Sequence, residues 1–192
     1  SHDLQEVAIT QNLETKASVK TGRTGGLPYV GIGWYRKSFS VDDFEKGKRR
    51  VTLLFDGAMS EARVYVNGKE AAFWPLGYNS FHCDVTDFLN ADGKNNVLAV
   101  RLENKPQSSR WYPGAGLYRN VHLIVTDEIH VPVWGTYITT PYVSDEYAAV
   151  RLETTVDNLA NENVRVQTEI VNAANEVVAQ KNEMRKLMKG QA

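Results

Sequence analysis

A single cysteine, Cys83, stands among 192 residues, so no intrachain disulfide can form. A disulfide scaffold is excluded, and the chain is compatible with cytosol or periplasm. Long apolar runs are missing too. None approaches the ~20 residues that carry a helix across a bilayer, so no membrane partner is expected. Charge of one sign is also absent. The 22 Lys and Arg residues stand against 23 Asp and Glu, for a net charge of −1. They are interspersed and form no basic stripe, which argues against a nucleic-acid partner. No Gly-rich loop opens a helix, so phosphate binding has no support. The start "SHDLQEV" carries no signal peptide. A periplasmic or secreted location is expected ahead of a cytoplasmic one.

What is present is alternation with a period of two. "VTLLF" (51–55), "EARVYVNGKEAAF" (61–73), "NVLAVRLEN" (96–104) and "NVHLIV" (120–125) are rich in β-branched and aromatic residues. Leu98, Val100 and Leu102 share one strand face; Arg101 and Glu103 share the other. Asn67-Gly68 lies between two such runs. Both residues tolerate positive φ, which predicts a type I′ hairpin turn. "DVTDFLNADGKN" (84–95) holds the one helical hint. Asp84 or Thr86 would cap a single turn that Asp92-Gly93 closes. Short strands with turn residues between them predict an all-β sandwich.

The pattern restarts around "DEIHVPV" (127–133), which predicts a junction between residues 1–127 and 128–192. "VRLETTV" (150–156) and "VRVQTEIV" (164–171) alternate well around the turn-rich "DNLANEN". Residues 128–192 supply about four strands, whereas an immunoglobulin-like sandwich takes seven or more over ~100 residues. The second domain is therefore expected to be incomplete. Its inner-face residues would be exposed, and self-association through this segment is expected.

Candidates for catalysis are thin. No His/Cys cluster has zinc spacing, and neither metal nor cofactor is expected. His82 and Cys83 are neighbours in a strand and point to opposite faces. His122 and His130 flank the junction and read as structural or solvated. Asp56, Asp84, Asp87 and Asp92 read as turn or cap residues rather than a hydrolytic pair. The aromatics say more. Trp34-Tyr35, Trp74 with Tyr78, and Trp111-Tyr112 are all flanked by Gly or Pro, which predicts loops. An exposed ring offers a flat apolar face to sugar C–H groups, and nearby Arg or Asn can bond the hydroxyls. The competing role is to close the ends of the sandwich. Trp111 and Tyr112 cannot both face the core from one strand, because neighbours alternate.

Four stretches carry a specific resemblance: "GIGWYRKSFSV", "ARVYVNGKEAAFWPLGYNSFHCDVTDFL", "NNVLAVRLENK" and "SRWYPGAGLYRNVHL". In this order they resemble the N-terminal, jelly-roll sugar-binding domain of glycoside hydrolase family 2, which holds β-galactosidases, β-glucuronidases and β-mannosidases. The likeness runs nearly continuously from residue 22 to 125. "HDL" resembles a His-Asp-Trp motif of the family, with Leu4 in place of Trp. The restart near residue 128 matches the family's second, immunoglobulin-like domain. The resemblance implies a jelly-roll sandwich followed by an incomplete immunoglobulin-like sandwich. It places catalysis in a third domain, a (β/α)8 barrel of roughly 250 residues, which would be this segment's partner. Retention there uses two Glu carboxylates ~5 Å apart. No catalytic residue is carried over to this chain, which is expected to be inactive alone.

The resemblance also singles out a loop. The family segment matching Ser109–Gly116 reaches toward the barrel mouth and helps define the sugar subsite. Arg110, Trp111 and Tyr112 are the implied carbohydrate-binding residues. Some β-galactosidases carry, just before this Trp, a carboxylate that touches galactose and a sodium ion. Arg110 holds that place here. Arginine cannot ligate sodium and suits an anionic or hydroxyl-rich group. Gly114 and Gly116 permit a sharp bend before the strand. Tyr118 and one of the two leading aromatics are expected to pack, and the other, with Arg110, to face the barrel. A β-galactosidase-like parent is expected first and a β-glucuronidase or β-mannosidase next. A free-standing carbohydrate-binding module and a ligand-free structural sandwich are the alternatives from other classes.

Overall fold

The computed structural model describes residues 31–105, 115–158 and 161–188. The chain separates into two compact units between Val125 and Thr126. The first holds β1 (Gly31–Phe39), β2 (Arg49–Phe55), β3 (Ala58–Met59), β4 (Ala62–Val66), β5 (Lys69–Trp74), β6 (Phe81–Asp84), β7 (Asn96–Asn104) and β8 (Gly116–Leu117). A ninth strand, β9 (Val121–Asp127), begins in the first unit and runs two residues past the division. Two sheets form its layers. One has the order β1-β7-β4-β5 and is antiparallel throughout; the other has the order β6-β2-β9. A short β3–β8 pair stands at their end.

The core follows the alternation. Val51, Leu53 and Phe55 of β2 are buried against Val64 and Val66 of β4 and Val100 and Leu102 of β7. Phe81 stacks on Phe55 at 4.6 Å between centroids and on Trp74 at 5.6 Å. Each such side chain contributes roughly 1.5–3 kcal/mol of burial. His82 and Cys83 do face opposite ways: Cys83 is buried and His82 exposed. The all-β class expected from the sequence is the class found.

Local chemistry shapes the connections. Asn67 and Gly68 both have positive φ, 51° and 81°, so the β4–β5 turn is of the I′ kind. The helical hint is a single 3₁₀ turn, Thr86–Phe88. Asp84 Oδ1 accepts the Thr86 N–H at 2.8 Å, and Thr86 Oγ1 accepts the Val51 N–H at 2.8 Å. Gly93 closes this connector at φ +70°, where a Cβ would sit 2.5 Å from Phe44 Cβ.

A buried asparagine cluster ties these pieces together. Asn96 is fully buried. Its Oδ1 accepts from Asn67 Nδ2 at 2.8 Å and from the Asn90 N–H at 2.9 Å; its Nδ2 donates to Gly93 O at 2.6 Å. Asn67 in turn accepts the Val97 N–H at 2.9 Å and donates to Phe88 O at 2.9 Å. The turn that sequence alone reads as a hairpin signal is thus also a strut between β7 and the connector.

The second unit holds two antiparallel hairpins. β10 (Thr136–Val143) pairs with β11 (Ala148–Thr154), and β12 (Glu162–Val171) pairs with β13 (Val177–Leu187). His130 and Asp157 exchange backbone hydrogen bonds beside them. The apolar residues of both hairpins line one open groove of about 670 Å³, among them Ile138, Val150, Leu152, Val166 and Ile170. Among the described residues, no apolar side chain beyond Leu102 is buried. This unit has apolar faces without a closed core.

One expectation fails. Trp34, Tyr35 and Trp74 are not on loops; Trp74 ends β5, and the first two lie inside β1. Gly31 and Gly33 are strand residues there, and the β1–β7 ladder pairs every position from Gly31 to Phe39. Pairing along nine residues outweighs the local preference of two glycines. Tyr35 packs on the core, while Trp34 is 58% exposed on the outer face.

Candidate functional site

Arg110, Trp111 and Tyr112 fall outside the described residues, as does Gly114. Both flanks of their segment are described, and they converge. Before it, β7 ends at Asn104, the Glu103 N–H donates to Ser60 O at 2.9 Å, and Ser60 Oγ donates to Glu103 O at 3.0 Å. Lys105 Nζ stands 3.4 Å from Glu61 Oε1. After it, Gly116 pairs with Met59 and Leu117 with Ala58. Consecutive residues 58–61 therefore hold both ends of the segment at one end of the sandwich.

Tyr118 locks the second flank. Its hydroxyl donates to Gly77 O at 2.8 Å. Its ring lies so close to Gly57 that a Cβ there would meet the ring at 2.5 Å. Gly57 is thus a close-approach glycine. Tyr118 packs as expected but stays 46% exposed. Leu76 and Tyr78, on either side of Gly77, are exposed as well. Arg119 lies 5.7 Å over the Tyr118 ring. The result is an exposed rim of Leu76, Tyr78, Tyr118 and Arg119 beside the anchored segment.

The adjoining Asp56 does more than turn the chain. Its N–H donates to Asn120 O at 3.0 Å, and its carbonyl accepts from Ser80 Oγ at 3.1 Å. Its Oδ2 lies 2.9 Å from His122 Nε2. Asp56 and His122 therefore fasten β9 to the end of β2, a long-range pair that the sequence reading missed. Asp84 meets Arg50, and Asp87 meets Lys46 at 3.4 Å. These carboxylates face cations, not one another. Cys83 is held inert: burial first, then the nearby Asp84 carboxylate, pushes its thiol up to about 11. Among the described residues, no three His, Cys, Asp or Glu side chains gather as a metal site would require. The sequence signals for this rim were "FDG" and "PLGYNS", whose glycines leave room for Tyr118 and Met59.

The rim presents two tyrosine rings, a leucine and an arginine to solvent, carried on an all-β sandwich. Comparison with known proteins defines its class. Residues 8–127 match the family model described as glycosyl hydrolases family 2, sugar binding domain. The chain belongs to glycosyl hydrolase family 2. It is 47% identical over 147 residues to a protein named β-galactosidase BoGH2A from Bacteroides ovatus, covering 75% of this chain and 17% of that protein. It is 32% identical over 184 residues to a β-glucuronidase from Formosa agariphila, covering 84% and 19%. A solved family 2 member from Bacteroides cellulosilyticus superposes with a TM-score of 0.77 at 37% identity, over 83% of this chain and 22% of that one. The chain spans about a fifth of the length of these relatives.

Proposed function

We propose that this chain is the non-catalytic N-terminal portion of a retaining family 2 glycosidase that acts on terminal β-glycosides, β-galactosidase-like in substrate. Its segment around Arg110, Trp111 and Tyr112 shapes the sugar subsite, next to the active site supplied by a barrel domain. The observation that carries this reading is the convergence of both flanks on residues 58–61. Anchored ends let a short segment project without sacrificing the sheet. The 47% identity to a protein named β-galactosidase supports the galactoside. A β-glucuronidase parent is the second reading, favoured by relatives of that name and by Arg110, whose guanidinium suits a carboxylate.

The test uses the full-length enzyme. Arg110→Ala and Trp111→Ala should each lower kcat/KM, with Arg110→Ala costing ~1–3 kcal/mol for a charged hydrogen bond. Melting temperature should hardly change. Nitrophenyl β-galactoside and β-glucuronide compared side by side separate the two readings. The isolated chain should hydrolyse neither. Lower melting temperature with intact kinetics would make these residues packing elements and end the subsite claim.

A further inference from the structure

The outer face of the β1-β7-β4-β5 sheet presents a second aromatic surface. Cross-strand pairing aligns Trp34 with Arg101, Arg101 with Arg63, and Arg63 with Phe73, in one row across four strands. In the next row Arg36 faces Ala99, and Ala99 faces Tyr65. Trp34 and Tyr65 belong to strands that β7 separates, yet their centroids are 5.6 Å apart at a tilt of 36°. They meet because Ala99 is small. Trp34 remains 58% exposed and Phe73 43%.

We propose that this face binds an acidic glycan, a polysaccharide bearing uronic-acid carboxylates, with Trp34 and Tyr65 as the stacking platform and Arg36 as the carboxylate fork. The platform is held in place before any ligand arrives. The Tyr65 hydroxyl bonds Glu70, Glu70 pairs with Arg63 at 2.7 Å, and the Arg63 guanidinium covers Phe73 at 4.6 Å. Arg101 pairs with Glu103 at 2.9 Å. Those pairs account for two of the three arginines. Arg36 has no ion-pair partner among the described residues, so the face carries one unmatched positive charge. It sits two residues from Trp34 on the same side of β1, about 7 Å along the strand.

This geometry fits a sugar acid. A pyranose stacks its C–H face on the open indole, and the arginine side chain reaches its carboxylate. The face fits a protein partner poorly. Such an interface buries ~800 Å² per side around an apolar centre, whereas here charged rows interrupt the exposed apolar groups. The proposal goes beyond the reading of residues 110–112 and stands if that reading fails.

Native electrophoresis of this chain in gels containing polygalacturonate or a neutral β-galactan tests it. Polygalacturonate should retard the chain and the galactan much less. Trp34→Ala and Arg36→Gln should each weaken retardation about tenfold, a loss typical of one stacked ring or one charged bond. Lys181→Gln, which removes an exposed charge from the second unit, should change nothing. If Trp34→Ala fails to fold, Arg36→Gln decides alone. Absence of retardation overturns the proposal. Equal retardation of all variants reduces it to ion exchange and overturns it. Equal retention by both gels overturns the acidic assignment. A dimer that needs Trp34, with no glycan retention, makes the face a protein interface and overturns it too.

Discussion

Replacing Asn96 with alanine removes three hydrogen bonds from the buried cluster beneath the β4–β5 turn. Two of the abandoned groups keep other partners. Asn67 Nδ2 still reaches Phe88 O, and Gly93 O still accepts the Val41 N–H at 2.9 Å. The Asn90 N–H loses its partner, but Asn90 is exposed and water can replace it. The cost is therefore that of three lost bonds at ~0.5–1.5 kcal/mol each, about 2–4 kcal/mol in all, without the larger penalty of a sealed orphan donor. Hydrogen exchange of peptides from β4 and β7 reads this locally, since both strands belong to the first unit. Their opening free energy should fall by that amount, and the urea midpoint of the whole chain should fall with it. Asn96→Asp keeps both accepted bonds but turns a carboxylate oxygen toward Gly93 O, so it should destabilise as well. A loss below ~0.5 kcal/mol for Asn96→Ala would refute the claim that this cluster holds the connector to β7.

Gly57→Ala should lower the melting temperature by driving Tyr118 off its seat. Because both changes act on one contact, Gly57→Ala in a Tyr118→Ala background should cost almost nothing further; additive losses would sink that account. Cys83 should resist a disulfide-exchange reagent at pH 8 and react fully once urea unfolds the chain. Its folded thiol titrates higher than the unfolded one, so its contribution to stability should fall as pH rises from about 9 toward 11. Rapid labelling of the folded chain would contradict both statements. The open groove between the second unit's hairpins should drive self-association at high micromolar concentration, visible by sedimentation velocity. A monomer under those conditions with an ordered second unit would refute it.

Much of the fold was legible because it rests on short-range rules. Period-two alternation marked β2, β4 and β7, which bury one face, and equally β9, β11 and β12, whose apolar faces stay partly open. Asn67-Gly68 announced its turn, since few other pairs accept positive φ twice. The chain of motifs from "GIGWYRKSFSV" to "SRWYPGAGLYRNVHL" pointed to the family that the comparisons show. The proposed loop at Arg110–Tyr112 lies outside the described residues, so the structure supplies its anchors and not its contacts.

Other features depend on residues far apart in the chain. Trp34 looked like a loop residue because Gly31 and Gly33 precede it, and only the partner strand β7 made it a strand residue on an open face. Asp56 looked like a turn residue, and only the return of β9 brought His122 to it, 66 positions away. Asn67 showed its turn in the sequence but not its second task. A side-chain amide can satisfy groups on β7 and on the connector only after the sheet has placed them within 3 Å. Local backbone preference and hydrophobic period are properties of neighbouring residues, so the sequence alone determined strands, the β4–β5 turn and the all-β class. Which exposed aromatics share a surface, and which polar groups find partners, is set by strand order and register, and only the tertiary structure decided those.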